Sequence, residues 1–202
     1  MITAPNLAEF DWLVHGFGLR DSTPPANVTT ARQIHSDIVL DAAGRPGERI
    51  GDGDSLISNQ SGVILAVKTA DCVPILLADP TTRSIACIHA GWRGTALNIV
   101  TKTIRRLSEL WRVDPENLRV AIGPSIGGCC YEVGPEVALR FGIETAKPIH
   151  LDLPAINEQQ LHTAGVSDVW KSGECTFCLA NRFFSYRREN EQAGRMVSII
   201  GQ

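Results

Sequence analysis

The chain has 202 residues, 44% of them hydrophobic and 20% charged, and carries a formal net charge of −3. That is the balance of a soluble globular protein with an ample core, and the length favours one large domain spanning 1–202 over two. Mild acidity removes the electrostatic ground for a nucleic-acid or anionic-membrane partner. No run approaches the ~18 consecutive apolar residues of a membrane span, and the start MITAPNLAEFDW lacks the basic and apolar parts of a signal peptide, which points to the cytoplasm. In that compartment the six cysteines are expected as thiols or ligands, not disulfides.

In chain order, WLVHGFG (12–18) reads as a first strand with a packed His15. RDSTPPANVT (20–29) is a polar, Pro-rich loop. ARQIHSDIVLDA (31–42) reads as a strand or bent strand carrying His35, with Gln33 and His35 on one face. GRPGERIGDGDS (44–55) reads as an exposed loop. It is no calcium site, because the glutamate twelve positions after its first ligand is missing. SLISN (55–59) and GVILAVKTA (62–70) read as strands, the second central to a sheet.

The stretch from Lys68 to Gly94 carries the most information. Two apolar runs, Val73 to Ala78 and Ser84 to His89, flank the turn cluster Asp79-Pro80-Thr81-Thr82 and predict a β-hairpin. A turn centred on Pro80-Thr81 pairs Asp79 with Thr82 and sets Cys72 opposite His89, with Cβ atoms roughly 4.5–5.5 Å apart. A one-residue slip would put them on opposite faces. A facing thiol and imidazole fit a metal site, a Cys–His nucleophile pair, or a buried Cys beside a satisfied His. Pro74 predicts an edge position or bulge in the first arm. Beyond His89, AGWRG is a tight turn feeding a helix. Leu97, Val100, Ile104, Leu107 and Trp111 follow at helical spacing, with Thr95 as N-cap. Arg93 and the amides of that helix start would make an anion-friendly surface beside the pair.

LRVAIG (118–123) is a strand. GPSIGGCCYEVGPE (123–136) is a long Gly-rich loop whose Cys129, Cys130 and Tyr131 are candidates for lining a pocket. A short helix starts at Pro135. A longer one runs from Leu153 to Ala164, with Asp152 as cap, Gly165 as stop and His162 on its surface. Strands are expected at 166–170 and 196–200. The single C-x-x-C, Cys175 to Cys178, has no second copy to complete a four-cysteine zinc site, so its expected role is structural. Helices and strands intermix, giving an α/β or α+β class with a substantial mixed sheet.

Four stretches, TADCVPILLAD, IACIHAGWRGTA, AIGPSIGGCCYEVG and FFSYRR…GRMVSIIG, resemble the bacterial laccase-domain (YfiH, polyphenol oxidoreductase laccase) family over roughly residues 30–201. The resemblance implies a single domain of layered helices and mixed sheets (α/β/β/α), similar to cysteine-dependent toxin deamidases. It implies a zinc site of His35, Cys72 and His89, with copper as the alternative ion. It implies phosphorolysis of purine nucleosides (adenosine, inosine, guanosine, methylthioadenosine) with adenosine deamination beside it. Older readings in the family are copper-dependent polyphenol oxidation and, for some members, editing of peptidoglycan precursors. Where family members carry a longer segment before the Q-[IV]-H motif, Gly16-Phe17-Gly18-Leu19-Arg20 is followed here only by the short Pro-rich loop.

A three-ligand site with an open fourth position is the catalytic arrangement of zinc. The expected partners are a nucleoside and phosphate, on a monomer or homodimer. The expected catalytic residues are Cys72, His89, Asp71 and Arg93: Arg93 for phosphate, with Arg187 second to it, and Asp71 or Asp54 as general acid or as orienter of a ligating His. Lys68 reads as structural. Cys72 as nucleophile with His89 as base is the metal-free alternative. Copper redox chemistry of the multicopper kind asks for more histidines than the five present.

Overall fold

The computed structural model describes residues 1–202. Thirteen strands run in chain order: β1 (Val14–Gly16), β2 (Thr30–Arg32), β3 (Val39–Asp41), β4 (Arg49–Asp52), β5 (Ser55–Ser58), β6 (Ile64–Thr69), β7 (Val73–Asp79), β8 (Ser84–Ala90), β9 (Arg119–Ile122), β10 (Glu132–Val133), β11 (Ile149–His150), β12 (Asp168–Lys171) and β13 (Met196–Gly201). The helices are α1 (Pro5–Ala8), α2 (Trp92–Ala96), α3 (Ile99–Trp111), α4 (Pro135–Ala138), α5 (Leu153–Thr163) and α6 (Tyr186–Glu189). A six-stranded mixed sheet has the order β12-β9-β7-β8-β5-β3, and a three-stranded sheet the order β1-β13-β6. Two pairs, β2-β4 and β10-β11, complete the set. The class is mixed α/β.

Strand β7 explains the layering. All seven of its residues are buried, and alternate side chains enter two cores, as a period of two requires. Val73, Ile75 and Leu77 meet Ile99, Val100, Ile104 and Leu107 of α3 and Leu153 and Leu161 of α5. Leu76 and Ala78 meet Leu65 and Val67 of β6, Ile200 of β13, Phe17 and Leu7. The six-stranded sheet is thus sandwiched between helices and the smaller sheet. Beyond α3 and α5 the helices are four or five residues long, so the stack has one substantial helical layer where two were expected. No helix is long and apolar enough to cross a membrane.

Several expectations shift. The hairpin closes two residues later: Asp79 faces Ser84, and Pro74 faces His89. The buried Asp79 carboxylate draws the loop in, accepting from Thr81 N at 2.9 Å and from Thr82 Oγ1 at 2.6 Å. Arg83 absorbs the return with φ +55°. Because the slip is even, Cys72 and His89 keep one face. Pro74 lies in a central strand, but at the end of its ladder. Its carbonyl accepts from Gly123 N at 2.9 Å, and only the bond its missing N–H would have made there is lost.

Helix 95–111 is two helices. Asn98 at φ +59° breaks it, leaving Leu97 48% exposed, and Thr95 sits inside α2. Residues 49–52, expected in a loop, pair as β4 with β2. Strand β6 lies at one side of its sheet, with a single bridge from Thr29 to Leu65 beyond it. Helix α5 is as expected: Asp152 accepts from Ala155 N at 3.0 Å, and Gly165 ends it at φ +96°.

Candidate active site

His35, Cys72 and His89 converge. Their ligand atoms lie within 4.8 Å of one another, although each comes from a different local structure. His89 is fixed by β8, deep in the six-stranded sheet. Cys72 ends the link from β6 to β7. His35 is not on a strand but in a turn after β2, at φ +58°. The turn is held by Asp54, at the start of β5. One Asp54 carboxylate accepts from His35 N (3.0 Å), Ile34 N (3.2 Å), Ser36 N (2.7 Å) and Ser36 Oγ (2.7 Å). Its Oδ1 also lies 2.7 Å from His89 Nδ1. Asp54 therefore anchors one imidazole through its backbone and orients the other through its ring. With the Nδ1 proton committed to Asp54, His89 turns Nε2 toward the site.

The electrostatics follow from this geometry. Burial opposes ionisation of Cys72, but the charge of His89 and hydrogen bonds from His35 and His89 outweigh it and hold the thiol down to about 6. Burial works against a charged His89, yet Cys72 and Asp54 raise it to about 9. Burial likewise opposes the Asp54 carboxylate, and His89 and Ser36 bring it down to about 2. Without a metal the result is a Cys72 thiolate paired with a His89 imidazolium. Once the Nε2 proton of His89 is given up, an anionic sulfur and two imidazoles are aimed at one point, the donor chemistry of a transition-metal site. Gly91 makes room for it: a Cβ there would meet Cys72 Sγ and His35 Cδ2, both at 3.1 Å.

The three side chains face a cavity of about 850 Å³. Arg32, Arg49, Lys68, Arg93, Arg187 and Arg195 line it, against one carboxylate, Asp71. Trp92, Tyr131 and Tyr186 supply aromatic wall. Arg93 does reach the cavity, its guanidinium 4.3 Å from the Trp92 ring centroid. The helix behind it is the five-residue α2, too short for the macrodipole expected at Gly91–Gly94. Arg187 lies over Tyr131 at 5.2 Å and donates to the Glu132 carbonyl at 2.9 Å.

Asp71 is placed differently from a free acid. Held at φ +88°, its carboxylate accepts from Thr176 Oγ1 (2.6 Å), Ser185 Oγ (3.0 Å) and Arg187 N (2.7 Å). It ties the 176–187 segment to the site. Gln33 and His35 both line the cavity, although not as one face of a strand: residues 33–38 lie between β2 and β3, with His35 in the turn. Gln33 bonds the Lys68 backbone through both amide atoms, at 2.7 and 2.8 Å. Tyr131 lines the cavity, but Cys129 and Cys130 turn away and meet Cys175 and Cys178, all four sulfurs within 4.8 Å. His15 is packed as expected, its Nε2 accepting from Ala4 N at 2.9 Å. Sequence reasoning missed Trp92, Tyr186, Arg49 and Arg195. The first two had a signal, because each directly precedes an arginine already singled out.

The family model for multi-copper polyphenol oxidoreductase laccase matches residues 17–202. A purine nucleoside phosphorylase of Deinococcus radiodurans is 41% identical over 177 residues, covering 84% of this chain and 68% of that protein. One of Clostridium acetobutylicum is 35% identical over 190 residues, covering 90% and 80%. The crystal structure of a Bacillus licheniformis hypothetical protein, YfiH, superposes with a TM-score of 0.87 at 26% identity, covering 95% of this chain and 94% of that one. That of YlmD from Geobacillus stearothermophilus gives 0.86 at 27%, covering 98% and 94%.

Proposed function

Since the chain belongs to the multi-copper polyphenol oxidoreductase laccase family, we propose that it is a purine nucleoside phosphorylase that works with zinc held by His35, Cys72 and His89. The observation that carries this reading is the convergence of those three side chains in the lining of a cation-rich, aromatic-walled cavity. Relatives bearing the name purine nucleoside phosphorylase support it. The proposed substrates are adenosine, inosine, guanosine and methylthioadenosine, with adenosine deamination as a further activity of the same one-domain protein in the cytoplasm.

A zinc ion held by His35, Cys72 and His89 would supply Lewis acidity. The chain's own residues do the rest. In phosphorolysis a phosphate oxygen attacks the ribose C1′ while the bond to the purine nitrogen breaks. Arg93 and Arg187 hold the phosphate and neutralise its charge, Arg187 being aimed by Tyr131 and by the Glu132 carbonyl. Trp92, Tyr131 and Tyr186 offer faces on which a purine stacks and exclude water around it. Asp54 holds the proton on His89 Nδ1, which leaves Nε2 as the nitrogen that would hold an ion. Asp71 acts as a positioning residue: with three donors already on its carboxylate, it fixes the backbone of Arg187.

The depressed Cys72 thiol beside His89 favours a second reading. It is a metal-free hydrolase with Cys72 as nucleophile and His89 as base, in keeping with the expected likeness to toxin deamidases and with an amide in a peptidoglycan precursor as substrate. Copper redox chemistry finds less support. His15 is bound to Ala4, and no other histidine joins a cluster with the three at the site, whereas a multicopper oxidase needs a second, histidine-rich centre.

Metal analysis coupled to a nucleoside panel, with and without phosphate, tests the proposal. Phosphate-dependent release of free purine by zinc-loaded protein is expected. Inactivation by iodoacetamide that chelators fail to reproduce would move the assignment to the hydrolase.

A further inference from the structure

We propose that Cys129, Cys130, Cys175 and Cys178 form a second, structural zinc site, which staples together the two loops that close one side of the cavity. Their sulfurs lie within 4.8 Å of one another. Cys178 Sγ is 3.4 Å from Cys130 Sγ and 3.9 Å from Cys129 Sγ. Tetrahedral zinc with Zn–S of about 2.3 Å needs sulfur–sulfur edges of about 3.8 Å, so one ion fits between these atoms with little movement. Four thiolates closing a tetrahedron are the structural form of a zinc site, and soft sulfur ligands in that geometry select zinc over magnesium or calcium.

The scaffold is built for the purpose. An isolated bridge pairs Ser125 with Cys175, and Thr176 N donates to Ser125 O at 3.0 Å, so the two cysteine pairs are brought together by backbone. Gly127 N donates to Cys175 Sγ at 3.3 Å. Amide bonds to sulfur favour the thiolate that a metal requires. Arg188 holds the C-x-x-C loop from beneath, donating to the carbonyls of Thr176 (2.8 Å), Phe177 (2.7 Å) and Phe183 (2.7 Å). Both cysteine loops also reach the cavity. Ile126 and Tyr131, which bracket Cys129 and Cys130, line it. Thr176, inside the C-x-x-C, bonds Asp71 at 2.6 Å. Four thiols this close without a metal would instead be prone to a Cys130–Cys178 disulfide, the competing outcome of the test. The proposal does not depend on which reaction the cavity performs.

The test removes the other centre first. In His35→Ala/Cys72→Ser protein, about one equivalent of zinc is expected to remain, with an all-sulfur first shell in X-ray absorption. Adding Cys178→Ser should abolish it. Because that variant can lose its fold, intact wild-type protein gives a second reading. Cys129 and Cys178 are exposed, so bound zinc should block their alkylation and chelator should restore it, mapped by peptide mass spectrometry. A folded His35→Ala/Cys72→Ser protein free of metal, or a Cys130–Cys178 disulfide in protein purified with its metals retained, overturns the proposal. Absence of phosphorolysis in intact wild-type protein that retains this zinc would count against the cavity chemistry alone.

Discussion

The molecule gathers cysteine into two clusters that share an element and differ in everything that decides its chemistry. Around Cys72 two imidazoles complete a set of three, one position faces a cavity of about 850 Å³, and a buried carboxylate orients the ligands. Around Cys178 four thiols surround one point, and the supporting groups are backbone amides and an arginine clamped on carbonyls. Three ligands and a cavity leave room for a reacting molecule, whereas four ligands leave none. The same contrast appears in how the clusters are held. The first is tied to the six-stranded sheet through His89 on β8 and through Asp54 beside β5, whereas the second rests on two loops joined by a single bridge.

The sharpest break in that comparison comes from the open centre. His35→Ala or Cys72→Ser should remove its metal and lower phosphorolysis by about a hundredfold or more while circular dichroism stays native. A centre that merely held the fold together would unfold instead. Asp54→Asn should follow, at about 10–100-fold in metal affinity or activity, because it removes the charge beside His89. Gly91→Ala is a finer probe. Its backbone, at φ −74°, suits alanine, so melting should be unchanged. The new Cβ presses on Cys72 and His35, and a loss of about tenfold in kcat/KM is expected.

On the other side, Arg188→Gln should cost about 2 kcal/mol in denaturant unfolding through lost charge-assisted bonds, and should loosen zinc only at the four-cysteine cluster. The smallest perturbation changes no residue. In metal-free protein the alkylation rate of Cys72 should rise with pH through about 6, where its thiolate forms. Buried Cys87, whose thiol is pushed up by desolvation, should stay inert until the chain unfolds.

How much of this was readable follows residue by residue. That Cys72 and His89 share a face survived an error in register, although Pro74 and not Cys72 stands opposite His89, because the hairpin slipped by two and a period of two is blind to even shifts. The turn holding His35 left no periodic trace. A histidine at φ +58° is fixed by a carboxylate nineteen residues downstream, so only the family resemblance named it. Asn98 inside a regular apolar stripe hid the break between α2 and α3, since spacing reports which face is buried and not whether the backbone is continuous. Strand β4 carries Gly51 at φ +146° and reads as loop, and its pairing with β2 is what makes it a strand. The C-x-x-C looked incomplete because its other half is an adjacent pair, a spacing that the usual repeats of zinc sites do not contain.

Gln33 bonds the Lys68 backbone with both its carbonyl and its amide, and so does the work of one residue of a neighbouring strand with a side chain alone. The far edge of β6, already touched by Thr29, is thereby capped at the point where another chain could otherwise dock in β fashion. The same amide pins the approach to His35 against a sheet that cannot slide. One residue thus closes an edge against strand pairing and fixes the chain two residues before His35.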